Sequence, residues 1–194
     1  VYREYWTPIE FKNKNDEFDG AARKVFDKIS QITGLSFNFI PVKTKSEAIE
    51  ALQNGKALID TAFDNSLQAA EMYQINVTKP YYTIPMEKIS NPKVKNNISA
   101  FTYGSINPEN LNKLASTTNI MLKETNKECI EAVRKGEAEH LYLNTTIRKY
   151  LFQTGNYKNL DISFQDDSKT VIYVGVSNSA PIELYTIIEK ALLS

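Results

Sequence analysis

Val25, Phe26, Ile29 and Ile32 recur at helical spacing after Asp19-Gly20, and Gly34 follows them, so residues 20–33 predict a helix ended by a glycine. Ser36-Phe37-Asn38-Phe39-Ile40-Pro41 alternates apolar with polar positions and ends in proline, the pattern of a strand. Thr44-Lys45-Ser46-Glu47 sets a hydroxyl and a carboxylate three residues apart, where each side chain reaches the other's backbone N–H. The helix so capped runs through Ala48, Ile49, Ala51 and Leu52, and Gly55 closes it. Leu58–Phe63 reads as a more buried strand. Later strands are predicted near 98–103, 118–123, 139–143, 160–164 and 171–176. Helices are predicted from Asn107-Pro108, from Thr125, from Asn144, and from Ser179 to Pro181 through Leu192. Strand and helix alternate to the end, which predicts an α/β architecture of parallel sheets covered by helices.

The pattern also repeats. Thr44–Ala57 and Thr125–Ala138 align without a gap, matching at Thr44/Thr125, Glu47/Glu128, Ile49/Ile130, Glu50/Glu131, Ala51/Ala132, Gly55/Gly136 and Ala57/Ala138. Generic helix grammar accounts for part of this. The further reading is one supersecondary unit used twice, once in each of two lobes.

Charge narrows the possible partners. The 23 basic and 23 acidic residues balance, and no run of one sign stands out, so nothing points to nucleic acid or a charged membrane surface. No stretch approaches the ~20 apolar residues of a membrane span. Val1 is preceded by no leader pattern and Ser194 follows directly on a helical pattern, which suits a processed protein or an excised piece. Cys129 is the single cysteine, so neither an internal disulfide nor a thiolate metal cluster is expected. On its helical stripe it reads as a buried small residue. His140 is the single histidine and sits in the apolar strand segment 139–143, which leaves no multi-histidine metal site. The seven glycines form no phosphate-cradling loop, and no carboxylate spacing marks an acid/base pair, so neither a cofactor nor catalysis is indicated.

Eleven tyrosines, nine phenylalanines and one tryptophan are the surplus, several of them beside turn residues, as in Tyr5-Trp6-Thr7-Pro8 and Lys79-Pro80-Tyr81-Tyr82. Such aromatics either line a cleft and stack on a ligand, or pack in a core or against a partner.

Four segments resemble the type II periplasmic binding proteins, in particular the family 3 extracellular solute-binding domains. Tyr5–Phe11 with Phe18-Asp19-Gly20 is similar to that family's "YPPF … G-F-D" opening. Asn76–Tyr82 is similar to its "FSxPYY" segment, Glu131–Glu139 with Asn144 to its "V-x-x-G-x-A-D-A" signature, and Tyr173–Ser177 with the last helix to its returning strand. The resemblance implies a two-lobed α/β fold, each lobe a mostly parallel sheet flanked by helices, with a two-strand hinge. Lobe 1 would comprise residues 1–85 with 177–194 returning to it, and lobe 2 residues 86–176. A small-molecule ligand would meet residues of both lobes: Trp6, Phe11, Asp64, Glu71, Tyr82, Tyr103, Ser105 and Asn144, with Trp6 and Tyr82 as stacking surfaces.

The departures bear on the ligand. Glu71 stands where amino-acid-binding members place an arginine for the ligand carboxylate, and a carboxylate there repels it. Asn144 stands where an aspartate usually receives the amino group, and it is equally readable as a helix N-cap. Lys79 or Arg148 are the nearby basic residues that would replace the arginine. The resemblance implies an extracytoplasmic binding module, membrane-tethered in the full-length protein and not an enzyme. The favoured reading is the sensor domain of a histidine kinase or diguanylate cyclase, with adjoining signalling domains as partners. The alternatives are the free receptor of an ABC importer, partnered by its permease, and a dehydratase or hydrolase on the same fold.

Overall fold

Helix α1 (Ala21–Thr33) forms where the spacing of Phe26 and Ile29 predicts it, and Gly34 takes the left-handed φ of 74° that ends it. Its first amides are satisfied from outside the helix: Ala21 and Ala22 donate to the Pro8 and Ile9 carbonyls at 3.1 and 2.9 Å. The chain is seen in a computed structural model that describes residues 1–65, 67–102 and 117–194, without the side chains of 165–168. It divides into two units, residues 1–83 with 171–194, and residues 84–170.

The first unit opens with β1 (Tyr2–Arg3), followed by the antiparallel set β2 (Tyr5–Trp6), β3 (Glu10–Lys12) and β4 (Phe18–Asp19). After α1 come β5 (Pro41–Val42), parallel to β1, then α2 (Lys45–Gln53), β6 (Ile59–Phe63), α3 (Leu67–Met72) and β7 (Ile75–Val77). The chain returns to this unit in the second part of β12 (Asp161–Ser177), antiparallel to β6 and β7, and ends in α6 (Ile182–Leu192). One core gathers Phe26 and Ile29 of α1, Val174 and Val176 of β12, and Ile188 and Ala191 of α6. A second gathers Val42, Ala48, Leu52, Phe63, Ala70 and Ile75. Because Val174 and Val176 belong to the first core, the return begins at Val171, ahead of the 177 read from the sequence.

In the second unit the sheet order is β10 (Asn119–Lys123), β9 (Ile98–Thr102), β11 (His140–Asn144), β8 (Tyr82–Ser90), β12. β9 runs parallel to both β10 and β11, and β8 antiparallel to β11. α4 (Asn126–Lys135) and α5 (Thr145–Thr154) accompany it. Burial pushes the Cys129 thiol up to about 12, which suits a packing residue. His140 Nε2 lies 2.8 Å from Ser99 Oγ, its parallel partner in the sheet, and burial lowers the ring's pKa.

A cap forms at each predicted position, one in each unit, but only the second is the full reciprocal box, since the Glu47 carboxylate accepts from Lys43 N and not from Thr44 N. Thr44 Oγ1 accepts from Glu47 N at 3.1 Å, and Thr125 and Glu128 make a reciprocal pair; Gly55 and Gly136 follow their helices at φ 74° and 83°. Two expected elements change. Residues 36–40 carry the predicted alternation, but only Pro41–Val42 is a strand, because a strand needs a hydrogen-bonded neighbour and β1 supplies one for those two residues alone. The two strands expected at 160–164 and 171–176 are one strand of 17 residues. The helix read from Asn107-Pro108 lies outside the described residues. Residues 67–72 fold as α3, which apolar periodicity did not announce because the helix has only six residues.

Gly20 has φ 120°, and a β-carbon there would sit 2.4 Å from the Ile9 carbonyl oxygen. Gly34 also has positive φ but open space around it. Gly20→Ala is expected to lower stability by about 2–4 kcal/mol, and Gly34→Ala by only about 1 kcal/mol, measured by urea unfolding. Equal losses would show that the backbone contact with Ile9 is unimportant.

Candidate functional site

The first four residues are all buried, and the second and third of them form β1, so a charged side chain on that strand has to find its partners inside the first unit. Arg3 finds several. Its Nε donates to Glu10 Oε1 at 2.8 Å, Nη1 to Asp64 Oδ1 at 3.1 Å and Nη2 to the Ala62 carbonyl at 2.6 Å. The Arg3 backbone N–H also reaches Glu10 Oε1, at 2.9 Å. The guanidinium carbon lies 3.8 Å from the centre of the Trp6 ring, so the face of the fork that makes no hydrogen bonds rests on a π-system.

The neighbours complete the arrangement. Glu10 is 0% exposed, and its second oxygen accepts from Thr61 Oγ1 at 2.7 Å. Lys45, at the start of α2, places Nζ 3.0 Å from Asp64 Oδ1. The Tyr81 hydroxyl donates to the Thr61 carbonyl at 2.8 Å. Burial would raise the Asp64 pKa, but Arg3 and Lys45 outweigh it and hold the carboxyl below its ordinary value. At Glu10 burial wins: against the pull of Arg3, and with Asp60 nearby, its pKa is pushed up to about 7. The set is a guanidinium receptor, with an aromatic floor, two carboxylates and a carbonyl, filled by the chain's own Arg3.

Two of the residues expected at a ligand, Trp6 and Asp64, meet here through Arg3. Phe11 lies on β3, half-buried, opposite Tyr5 in the ladder. Tyr82 is the first residue of β8 and is 43% exposed. Glu71 is exposed on α3, and its carboxylate has no hydrogen bond or ion pair among the described residues. Asn144 belongs to the second unit, is 4% exposed, and accepts from Ile147 N at 2.9 Å, so it caps α5. Tyr103 and Ser105 lie outside the described residues. Of the two basic residues considered as substitutes, Lys79 is exposed, and Arg148 binds Glu87 through Nε and Nη2 at 2.8 and 3.0 Å. The sequence reading missed Arg3, Glu10 and Lys45. The available signal was Arg3 adjoining the apolar pair Val1-Tyr2, with Trp6 and Glu10 close behind.

The model of the bacterial extracellular solute-binding proteins, family 3, matches residues 1–166. The chain belongs to this family. No curated protein matches it by sequence. Solved structures of the same fold include the periplasmic VFT2 domain of Bordetella pertussis BvgS, at 20% identity and TM-score 0.82, covering 100% of this chain and 86% of that one. A histidine kinase sensor domain with similarity to periplasmic binding proteins gives 16% identity and TM-score 0.83, over 99% and 86% of the two chains. An ancestral arginine-binding protein bound to glutamine gives 18% identity and TM-score 0.78, over 99% and 88%. The fold is thus that of type II periplasmic binding proteins, and solute binding is the family's property. Within the family fold, Arg3 brings a charge into the first unit and takes up Trp6 and Asp64 with it.

Arg3→Ala leaves Glu10 and Asp64 buried without their main counter-charge, and is expected to cost about 3–5 kcal/mol in urea unfolding. A loss below about 1 kcal/mol would show the cluster to be a surface pair. Glu10 also carries a pH signature. A carboxyl whose pKa is raised on folding stabilises the fold below its ordinary value, and that contribution disappears as pH rises through about 7. Relative to Glu10→Gln, the wild-type chain is therefore expected to lose about 1–3 kcal/mol between pH 4.5 and pH 8. A difference that stays flat, or that grows in the wild type's favour, overturns the assignment.

Proposed function

We propose that this chain is an extracytoplasmic solute-binding module that serves as the sensor domain of a membrane-bound histidine kinase or diguanylate cyclase, binding its ligand without chemically changing it. The observation that carries this reading is Arg3, whose guanidinium lies on Trp6 and against Asp64. Two side chains that amino-acid binders would turn to a ligand are already engaged by the protein itself. Glu71 adds an exposed carboxylate, unpaired among the described residues, where such binders need an arginine. A receptor that captures free amino acids needs both charged ends of the ligand matched, whereas a sensor needs only a ligand with different affinities for two states. The likeness in fold to the BvgS VFT2 domain and to a histidine kinase sensor domain supports the same reading. Receptor of an ABC importer is the second reading, favoured by the equally extensive likeness to an arginine-binding protein. The protein sequence flanking residues 1–194 separates the two, by signalling domains in one case and a lipoprotein cysteine in the other.

Unmodified α-amino acids are expected to bind weakly. Each missing charge-assisted contact costs about 1.5–3 kcal/mol, so two of them weaken affinity by roughly two to four orders of magnitude. Isothermal titration of the chain against the twenty amino acids is expected to give millimolar affinity or none. Low-micromolar affinity for any of them would sink the sensor reading in this form and favour the importer receptor, while binding of an uncharged or cationic solute would support it.

A further inference from the structure

The Thr61 hydroxyl, on β6, lies within hydrogen-bond reach of two acceptors, Glu10 Oε2 at 2.7 Å and the Val1 carbonyl at 3.1 Å, but it has one proton to donate. We propose that Glu10 and Thr61 form a reversible proton-binding site, in which the hydroxyl turns from the carboxylate to the carbonyl as Glu10 takes up a proton from solvent. The acidity around the chain then sets the charge that Arg3 meets, and acts as a second input to the first unit.

Both protonation states of this pair are hydrogen-bonded throughout. With Glu10 ionised, Oε1 accepts from Arg3 Nε and Arg3 N, at 2.8 and 2.9 Å, and Oε2 accepts from the Thr61 hydroxyl. The Val1 carbonyl still has the Thr61 N–H, at 3.1 Å, so it is not stranded. With Glu10 protonated, Oε1 keeps both contacts with Arg3, Oε2 donates its proton to Thr61 Oγ1, and the hydroxyl proton passes to the Val1 carbonyl. The exchange needs one hydroxyl rotation and no movement of the backbone. A buried carboxylic acid with no acceptor for its proton would instead leave an unpaired donor, at a cost that favours rearrangement of its surroundings.

The charges around Glu10 hold the two states close in free energy. Burial favours the acid, Arg3 on β1 favours the carboxylate, and Asp60 on β6 favours the acid again, which brings the Glu10 pKa to about 7. The Val1 amino group faces both Asp60 and Glu10. Asp64 is held ionised by Arg3 and Lys45. Tyr81 is kept neutral by a pKa raised well above its ordinary value, and its hydroxyl is committed to the Thr61 carbonyl. Lys12, on the same strand as Glu10, is paired with Glu4 at 3.3 Å. Tyr5 and Asp19 lie opposite Phe11, on the other face of the small sheet. The proton is felt at Trp6 through Arg3, whose guanidinium is divided between Glu10 at Nε and Asp64 at Nη1, and whose carbon lies 3.8 Å from the centre of the indole ring. Neutralising Glu10 leaves Asp64 as the charged carboxylate of the two, so the pull on the guanidinium becomes one-sided. This deepens the sensor reading and rests on it for its consequence alone: where Trp6 and Asp64 meet a solute, proton and solute each change the other's affinity by the same factor.

Trp6 is the single tryptophan of the chain, so its emission reports on the ring that Arg3 covers. The test is a pH titration of the solute-free chain across neutrality, followed by tryptophan emission and, after labelling with carbon-13 glutamate, by NMR of the side-chain carboxyl carbons. Both signals are expected to show a one-proton step with its midpoint near 7. Glu10→Gln keeps an acceptor for Arg3 and a donor for Thr61, and is expected to hold the emission at the wild type's acid value at every pH. Thr61→Val keeps the shape without the hydroxyl, and is expected to move the midpoint up by roughly half to one pH unit, because the lost hydrogen bond favours the charged form. A Glu10 carboxyl carbon that does not titrate near neutrality would overturn the proposal without recourse to any variant. An emission step that survives Glu10→Gln would overturn it too, and would assign the titration to another group such as the Val1 amino group. A midpoint unmoved by Thr61→Val would remove the hydroxyl from the site. With no solute present, none of these results bears on amino-acid affinity: a titrating Glu10 together with low-micromolar amino-acid binding would keep the proton site and sink the sensor reading.

Discussion

A guanidinium taken out of water keeps its charge and needs a partner for nearly every N–H it carries, which makes Arg3 the strictest constraint in the first unit. Meeting it fixes four elements together. β3 supplies Glu10, β6 supplies the Ala62 carbonyl and leads to Asp64, α2 supplies Lys45 to balance Asp64, and β2 sets Trp6 against the open face. A shift of β3 by one residue would turn Glu10 to the other face of its ladder and leave Arg3 and Thr61 without it. The ion pairs therefore add specificity of register to an arrangement that apolar packing alone would leave less defined.

The same cluster shapes the functional reading. The family fold is a general solute-binding frame, and what it binds depends on the side chains placed on it. In this chain the Trp6 ring and the Asp64 carboxylate face an internal cation, while Glu71 is exposed on α3 without an ion pair among the described residues. In the second unit the Asn144 amide oxygen is occupied in capping α5, and Arg148 is paired with Glu87 through Nε and Nη2.

β1 links this cluster to the apolar interior. Its residues carry Arg3 to the polar side and place Val1 beside the core that includes Val42, Ala48 and Phe63. Residues 36–39 lie next to that strand with an inward aromatic face, and among the described residues their backbone groups make no hydrogen bond. Side-chain packing and backbone pairing have thus come apart: Phe37 and Phe39 are seated, and the ladder is not.

The sequence by itself determined the features that arise within a few residues. The caps at Thr44 and Thr125, the terminating Gly34 and Gly136, the helices on either side of them and the strands at 59–63 and 140–144 follow from hydrogen bonds and periodicities that close locally. The family was also legible, because its motifs are short and occur in order. Of the expected ligand residues, Trp6 and Asp64 did meet, although the residue joining them was not foreseen. Arg3, Glu10, Lys45 and Asp64 are separated by up to 61 residues, and no local pattern shows which carboxylate an arginine will reach. Residues 36–40 show the same limit in backbone form. Their alternation specifies an extended segment with one apolar face, but a strand exists only where a neighbour offers its amides and carbonyls. Pairing across a sheet, like pairing of buried charges, is decided only when distant parts of the chain are packed together.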